Sequence, residues 1–301
     1  MTLSGFELRV AGRDGPTLVK LLKCLAEGGH KQESVPAALT ASREGLSLKV
    51  AKSRALEVSV DLDASFFSQY SCHQDSQIGI DLNILLIALQ VLFDSSSSNS
   101  SARPPVYKIS YTDALLIVTS TCTTLSGEDV VSVCKIKTFE TSSSAIDGDL
   151  SSTFLTTRLI GSVILKAAWL RDSLLELDPT SEKVEFIFKS AGSHSNSQNC
   201  TTSSIADTFC IKSSGLSGEA EISFALNGQN MEPCGTIRGS YRYDSIKHFQ
   251  KALSKDCSRV CLRLNEHAVL VAQFLITPAY GGTESVETFV EYTVAPLVED
   301  D

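Results

Sequence analysis

The chain has 301 residues, 43% of them hydrophobic and 20% charged, which is typical of a globular protein long enough for two domains. Its formal net charge of −9 argues against a uniformly basic nucleic-acid-binding surface, although a polyanion responds to local charge. Nine scattered cysteines without a CxxC pair indicate reduced thiols rather than a disulfide framework. The sequence has neither a membrane-spanning apolar run nor a signal-peptide pattern, so we expect an intracellular protein without a membrane partner.

The order of predicted elements occurs twice along the chain. Each half opens with a strand and an amphipathic helix, continues through further strands to a second helix, and closes with three strands. We therefore predict two similar domains, residues 1–137 and 154–301. A connector rich in Ser, Asp and Gly, residues 138–153, joins them. Two Ser-rich segments, residues 95–105 and 192–204, are predicted loops.

Helix one (residues 17–27) and helix four (residues 244–255) are predicted to place lysines opposite an apolar stripe. A rotation of about 100° per residue puts Lys20 and Lys23 on the polar face of helix one. The polar face of helix four carries Lys247, Lys251 and Lys255. Such faces are usually only solvated, but lysines on a helix can also contact DNA phosphates without reading the sequence.

The other two predicted helices are less basic. Helix two, residues 81–93, is apolar nearly all round and has no lysine or arginine. Helix three lies within residues 160–177, where Arg171 is followed by Asp172 and, further on, Glu176. These two helices therefore present less net positive charge to a polyanion than helices one and four do.

No sequence motif for catalysis or cofactor binding is present. The chain lacks the phosphate-binding patterns GxxxxGK[ST] and GxGxxG, and it lacks HExxH and GxSxG. Asp61 and Asp63 lie two apart on a predicted strand, as metal-binding carboxylates of nucleases do, but no third ligand is near. We therefore predict no catalytic residue, metal or cofactor; the enzymatic alternative is a metal-dependent 3′–5′ DNA exonuclease.

The ending FVEYTVAPLVEDD resembles the last strand and acidic tip of PCNA-type sliding clamps, whose Ala-Pro lies at the partner-binding surface. Three stretches are most similar to the Rad-one family of subunits of the heterotrimeric nine-one-one checkpoint clamp. They are SVCKIKTFE (132–140), LRDSLLELDPTSEKVEFIF (170–188), and RLNEHAVLVAQFLI (263–276) followed by FVEY. The resemblance covers the whole chain except the two Ser-rich loops.

This resemblance implies an α+β clamp fold in which each domain has two βαβββ units and the helices line a channel for double-stranded DNA. It implies a nuclear, non-enzymatic protein that forms a ring with two paralogous subunits. A clamp loader would open the ring at damaged DNA, where it would recruit checkpoint-kinase activators and repair enzymes. The channel positions that it implies are Lys20, Lys23, Arg171, Lys247, Lys251 and Lys255.

The resemblance also implies two edge strands, residues 130–138 and 206–214, that pair between subunits, since an unpaired edge recruits another strand. The implied interface residues are Val131, Val133, Ile136, Phe209 and Ile211. The implied partner-binding surface contains Tyr292, Ala295 and Pro296. A replicative homotrimeric PCNA-type clamp is the structural alternative.

Overall fold

A computed structural model describes residues 5–12, 14–26, 34–97, 106–123, 128–141, 150–189, 207–226, 236–277 and 287–297. The described elements fall into βαβββ repeats. The first comprises β1 (Phe6–Ala11), α1 (Gly15–Leu25), β2 (Pro36–Ala41), β3 (Gly45–Ser53) and β4 (Leu56–Asp63). After the short β5 (Gln69–Cys72), the second comprises β6 (Ser76–Asp81), α2 (Leu82–Ser97), β7 (Val106–Thr112), β8 (Leu115–Thr123) and β9 (Asp129–Lys137).

The second half of the chain has the same order. After α3 (Leu150–Thr156), the third repeat comprises β10 (Leu159–Lys166), α4 (Ala167–Glu176), β11 (Lys183–Lys189), β12 (Asp207–Gly215) and β13 (Gly218–Leu226). The fourth comprises β14 (Thr236–Arg242), α5 (Tyr243–Lys247), β15 (Cys257–Asn265), β16 (Leu270–Ile276) and β17 (Thr288–Val294). The predicted α+β class with its βαβββ units is confirmed.

The chain divides into two compact units. Unit 1 is Met1–Ala51, Val58–Asp147 and Ile276–Val290, and unit 2 is Lys52–Glu57, Gly148–Leu275 and Glu291–Asp301. The break between residues 147 and 148 falls inside the predicted connector. The predicted domain limits themselves stay a prediction.

In unit 1, an antiparallel sheet has the strand order β5-β1-β7-β8-β9. The sequence of β1 explains why this sheet forms. Phe6, Leu8 and Val10 occupy alternate positions and are fully buried on one face, whereas Glu7 and Arg9 between them point to the other face. A second set of strands has the order β6-β2-β3-β4. Helix α2 begins where the side chain of Asp81 accepts a hydrogen bond from the backbone of Asn83, at 2.9 Å.

Unit 2 repeats these arrangements with the strand orders β13-β12-β11-β14 and β10-β15-β16. Its core contains Phe249, Phe274 and Tyr292, whose ring centroids lie 5.3–5.4 Å apart in edge-to-face contacts. Tyr241 is also buried, and its hydroxyl donates to the carbonyl of Ala268 at 2.8 Å. The aromatic residues of the fourth repeat thus fix the core of this unit.

Helix four is shorter than predicted. Helix α5 ends at Lys247, and residues His248–Lys251 form a 3-10 turn in which the backbone of Ala252 donates to the carbonyl of Phe249. A 3-10 turn has about three residues per turn, so residues four apart no longer share one face. Lys255 lies beyond the helix, in the turn before β15.

The prediction that residues 206–214 form an edge strand is wrong. Strand β12, which holds Phe209 and Ile211, pairs with β11 on one side and with β13 on the other. Both side chains are fully buried in the core of unit 2. The strands at the two ends of this sheet are β13 and β14. The run of apolar residues in β12 reflects its central position rather than an interface.

Candidate functional site

The basic residues predicted from the helices lie in both units and differ in exposure. In unit 1, Lys20 and Lys23 are exposed on α1, which buries its opposite face. In unit 2, Lys247 is exposed on α5, Lys251 is half-buried and Lys255 is exposed. The structure therefore places solvent-accessible ammonium groups on α1 and around the turn that follows α5.

Arg171 is a weaker candidate than the lysines. Its guanidinium lies 3.8 Å from the carboxylate of Asp172, the next residue on α4, and its side chain is only partly exposed. A guanidinium beside a carboxylate has less net attraction for a phosphate. We expect Arg171 to contribute less to DNA binding than Lys247.

The pKa of His248 responds to the positive charges that surround it in unit 2. Burial, and then the charges of Lys52, Lys251 and Lys247, lower the pKa of His248 to about 4 from the ordinary 6.5. Lys52, near the end of β3, had no helical pattern to single it out in the sequence. It joins Lys247 and Lys251 as part of the basic cluster around this imidazole.

Replacing His248 with Gln is expected to change how stability depends on pH. Because the folded state lowers the pKa of His248 to about 4, the unfolded chain binds more protons between about pH 6.5 and 4. His248 therefore stabilises the fold fully only above its unfolded pKa, and the wild type should lose stability relative to H248Q as the pH falls through that window. Urea unfolding over a pH series measures this difference, and parallel curves for the two proteins would contradict it.

Helix α2 presents an apolar rather than a basic face to solvent. Ile84, Ile87 and Val91 lie at i, i+3 and i+7, and each is about half exposed. This apolar surface agrees with the sequence of the predicted helix, residues 81–93, which contains no lysine or arginine. Any electrostatic attraction of unit 1 for a polyanion must therefore come from α1 and other elements.

Strand β9 is one of the two edge strands of the five-stranded sheet and carries two exposed valines. Its only strand partner among the described residues is β8. Val131 and Val133 are 57% and 53% exposed, whereas Ile136 is buried in the core of unit 1. Exposed β-branched residues on an unpaired edge are suited to strand addition by another chain. Ile136 is not placed for such a contact.

The segment predicted to bind partners is partly buried. Tyr292 is fully buried against Phe249 and Phe274, so its side chain cannot face a partner. Ala295 and Pro296 are half-buried, and the backbone of Ala295 donates to the carbonyl of Ala55 at 2.9 Å. Only Ala295 and Pro296 remain as candidates for a surface role.

The beginning of the predicted connector is anchored to β6. Phe139 and Gly79 exchange two backbone hydrogen bonds of 2.8 and 2.9 Å. A Cβ atom at position 79 would overlap the ring of Phe139, so glycine is required for this close approach. Residues 142–149 of the connector lie outside the described residues.

Replacing Gly79 with Ala is therefore expected to displace Phe139 and destabilise unit 1 by about 1–3 kcal/mol, the usual cost of overpacking. Urea unfolding of the variant measures the change. Gly161 is a matched control, because a Cβ there would meet Ile237 and Phe188 at ordinary distances of 3.5 and 3.6 Å. Equal stability of the two variants would contradict the close approach.

A cleft of about 820 Å³ lies in unit 2, beside the half-buried Leu297. Its walls are held together by Asp178, whose carboxylate accepts hydrogen bonds from the backbone of Thr180 and of Ser217, both at 2.8 Å. These bonds, together with that from the hydroxyl of Thr180, lower the pKa of Asp178 to about 2. The cleft is a concave surface next to the Ala295–Pro296 segment.

The two aspartates considered for a nuclease site are exposed on β4. Asp63 accepts a hydrogen bond from the backbone of Ser65 at 2.8 Å and caps the turn that follows. Hydrogen bonding to the side chain of Ser65, and then to its backbone, lowers the pKa of Asp63. Within the described residues, no three or more His, Cys, Asp or Glu side chains are grouped so as to hold a metal ion. The described helices include none that is long and apolar enough to cross a membrane.

Known proteins match this sequence along most of their length. A family model described as "Repair protein Rad1/Rec1/Rad17" matches residues 13–276. The chain is 24% identical to the human "Cell cycle checkpoint protein RAD1" over 282 residues, which covers 92% of this chain and 89% of the relative. It is 25% identical to the "DNA damage checkpoint control protein rad1" of Schizosaccharomyces pombe over 273 residues, covering 84% of this chain and 77% of the relative. The chain belongs to the Rad1/Rec1/Rad17 family of PCNA-like clamp proteins.

Proposed function

We propose that this chain is a non-catalytic subunit of a heterotrimeric, DNA-encircling clamp that acts in the nuclear DNA damage checkpoint. The observation that carries the proposal is the combination of clamp repeats with sheets that end in exposed strands. Strands β9 and β13 each end a sheet, and Val131 and Val133 are exposed on β9. A protein of this family with an open edge strand in each unit is suited to closing a ring with related chains.

The ring closes through β9 of unit 1 and β13 of unit 2. Within the part of the chain that the structure describes, each pairs with one strand of its own sheet, β8 and β12 respectively, and the other side is proposed to receive a neighbouring subunit. Strand β13 thus replaces the predicted 206–214 strand as the interface edge of unit 2. Two dissimilar edges favour head-to-tail association, which forms a closed ring when the rotation between subunits permits.

Duplex DNA passes through the ring and meets the lysines of α1 and of the α5 region. Support comes from the exposure of Lys20, Lys23, Lys247 and Lys255 and from the positive surroundings of His248. Contacts with phosphates give affinity that is independent of sequence and sensitive to salt. The apolar face of α2 and the Arg171–Asp172 pair make this subunit's hold on DNA weaker than that of a clamp with basic residues on every helix.

A clamp loader opens the ring at damaged DNA, and the loaded ring recruits checkpoint-kinase activators and repair enzymes. The surface proposed for such partners contains Ala295 and Pro296 and the neighbouring cleft. The structure describes residues 138–141 and 150–153 of the connector. These residues are polar apart from Phe139 and Leu150. We expect PCNA-type peptides to bind this subunit weakly.

Measuring the mass of the assembly tests the proposal. The tagged chain is purified from its own cells, and the complex is weighed by native mass spectrometry. The proposal expects one copy of this chain with one copy each of two related clamp chains. The purified chain alone is expected to be monomeric at micromolar concentration. A stable homotrimer of the chain alone would instead support a replicative type of clamp.

A further inference from the structure

Trp169 on α4 is an exposed aromatic residue within a column of stacked rings. Its side chain is 42% exposed, although a tryptophan normally buries most of its surface. The ring stacks on Phe224 of β13, with centroids 5.9 Å apart and planes 8° apart. Phe224 in turn stacks on the buried Phe209 of β12, at 6.1 Å and 18°. The column therefore runs from the core of unit 2 to its surface.

The column reaches the surface at the open edge of the sheet. Phe224 pairs with Phe209 in the β12–β13 register, and β13 is the last strand of its sheet. Along β13 the half-buried Ile222 and Phe224 alternate with the exposed Glu219 and Glu221. A strand added to β13 would thus have Trp169 and Phe224 on one face and the two carboxylates on the other.

The two carboxylates differ in how far their charge is already balanced. Glu221 forms an ion pair of 2.7 Å with Lys212, and this hydrogen bond lowers the pKa of the carboxyl. Among the described residues, Glu219 has no ion pair. Its carboxylate is the group on this face that is best placed to select a basic side chain on an added strand.

We infer that Trp169 and Phe224 are the aromatic anchor for the edge strand of a neighbouring clamp chain, which carries an apolar residue against Trp169 and a basic residue opposite Glu219. The inference rests on the proposed ring. Tryptophan at the centre of an interface often supplies a large share of the binding energy. An edge strand of this fold can provide the basic residue, since β9 of this chain exposes Lys135 and Lys137.

A nucleobase fits this surface less well. Stacking on a base requires a free ring face, and Trp169 already has Phe224 stacked against it and the ammonium of Lys166 5.4 Å from its ring centroid. The carboxylates of β13 and of Asp172 on α4 would also repel a polyanion. The surface therefore favours a protein strand.

Crosslinking from position 169 tests the inference directly. Trp169 is replaced by the photoreactive residue p-benzoylphenylalanine, the intact complex is purified and irradiated, and the crosslinked peptides are identified by mass spectrometry. The inference expects crosslinks to an edge strand of one related clamp chain. Crosslinks to DNA in the loaded complex, or none to a clamp chain while the complex stays intact, would overturn it. If no clamp chain copurifies with the wild type, the proposed function fails before this step.

Affinity measurements provide the energetic test, with the copurifying clamp chain as the probe. Replacing Trp169 with Ala is expected to weaken its association about tenfold or more, and Trp169→Phe should restore much of the loss. Leu175→Ala is the matched control, because Leu175 is 68% exposed on another face of α4. Circular dichroism melting of each variant alone confirms folding. Equal affinities of W169A and L175A, with both folded, would contradict the anchor.

Discussion

Replacing Val133 with Asp is expected to prevent this chain from joining its clamp without unfolding it. Val133 is 53% exposed on the edge strand β9, so the isolated chain tolerates a charge there. In the proposed ring the aspartate would be buried without a partner, at a cost of about 3 kcal/mol or more. This corresponds to roughly a hundredfold weaker association. Size-exclusion chromatography of the coexpressed subunits measures the loss.

Two further variants make this result specific. Val106 is also exposed but lies on β7, an internal strand of the same sheet, so V106D should assemble normally. Phe209 is fully buried on β12, so F209D should unfold unit 2 rather than act on an interface. Normal assembly of V133D, or loss of assembly in V106D while it remains folded, would contradict the role of β9.

Replacing Lys247, Lys251 and Lys255 together with Ala is expected to weaken the hold of the assembled clamp on duplex DNA. Each lost phosphate contact should reduce the slope of log affinity against log salt by roughly 0.9. Lys52 belongs to the same positive region, since its charge also acts on His248, and adding K52A should lower the slope further. Fluorescence anisotropy over a salt series measures the slope.

The matched control removes the same charge from strands. Lys49 on β3, Lys108 on β7 and Lys183 on β11 are replaced with Ala, which keeps the net charge of the two triple variants equal. If the position of the lysines matters, only the variant near α5 should lose salt dependence. Equal losses in both variants would show that net charge alone is responsible, and assembly should survive in both.

The sequence predicted the repeats well, because alternation and helical periodicity record which face of each element is buried. It could not tell an edge strand from a central one. TFCI in β12 and VVSVCKI in β9 are both apolar runs, and only the register with β11 and β13 shows that Phe209 and Ile211 are internal. Strand order depends on contacts distant along the chain, which no local pattern contains.

The candidate basic residues show the same limit. Periodicity placed Lys20 and Lys23 correctly on the exposed face of α1. It assumed a regular helix as far as Lys255, whereas the chain tightens into a 3-10 turn at His248. Lys52 had no detectable signal, because it lies near the end of strand β3 and acts on His248 only through the tertiary fold. Tyr292 was assigned to a surface because a motif gives position but not burial.

The most direct test of a DNA-encircling clamp is its topological link to DNA. The complex is loaded onto a closed circular plasmid, washed at high salt, and the plasmid is then cut once with a restriction enzyme. The clamp account predicts that the complex remains on the circle during the wash and leaves after the cut, because a ring slides off free ends. Release from the uncut circle, or retention on the linear product with its ends unblocked, would contradict encirclement.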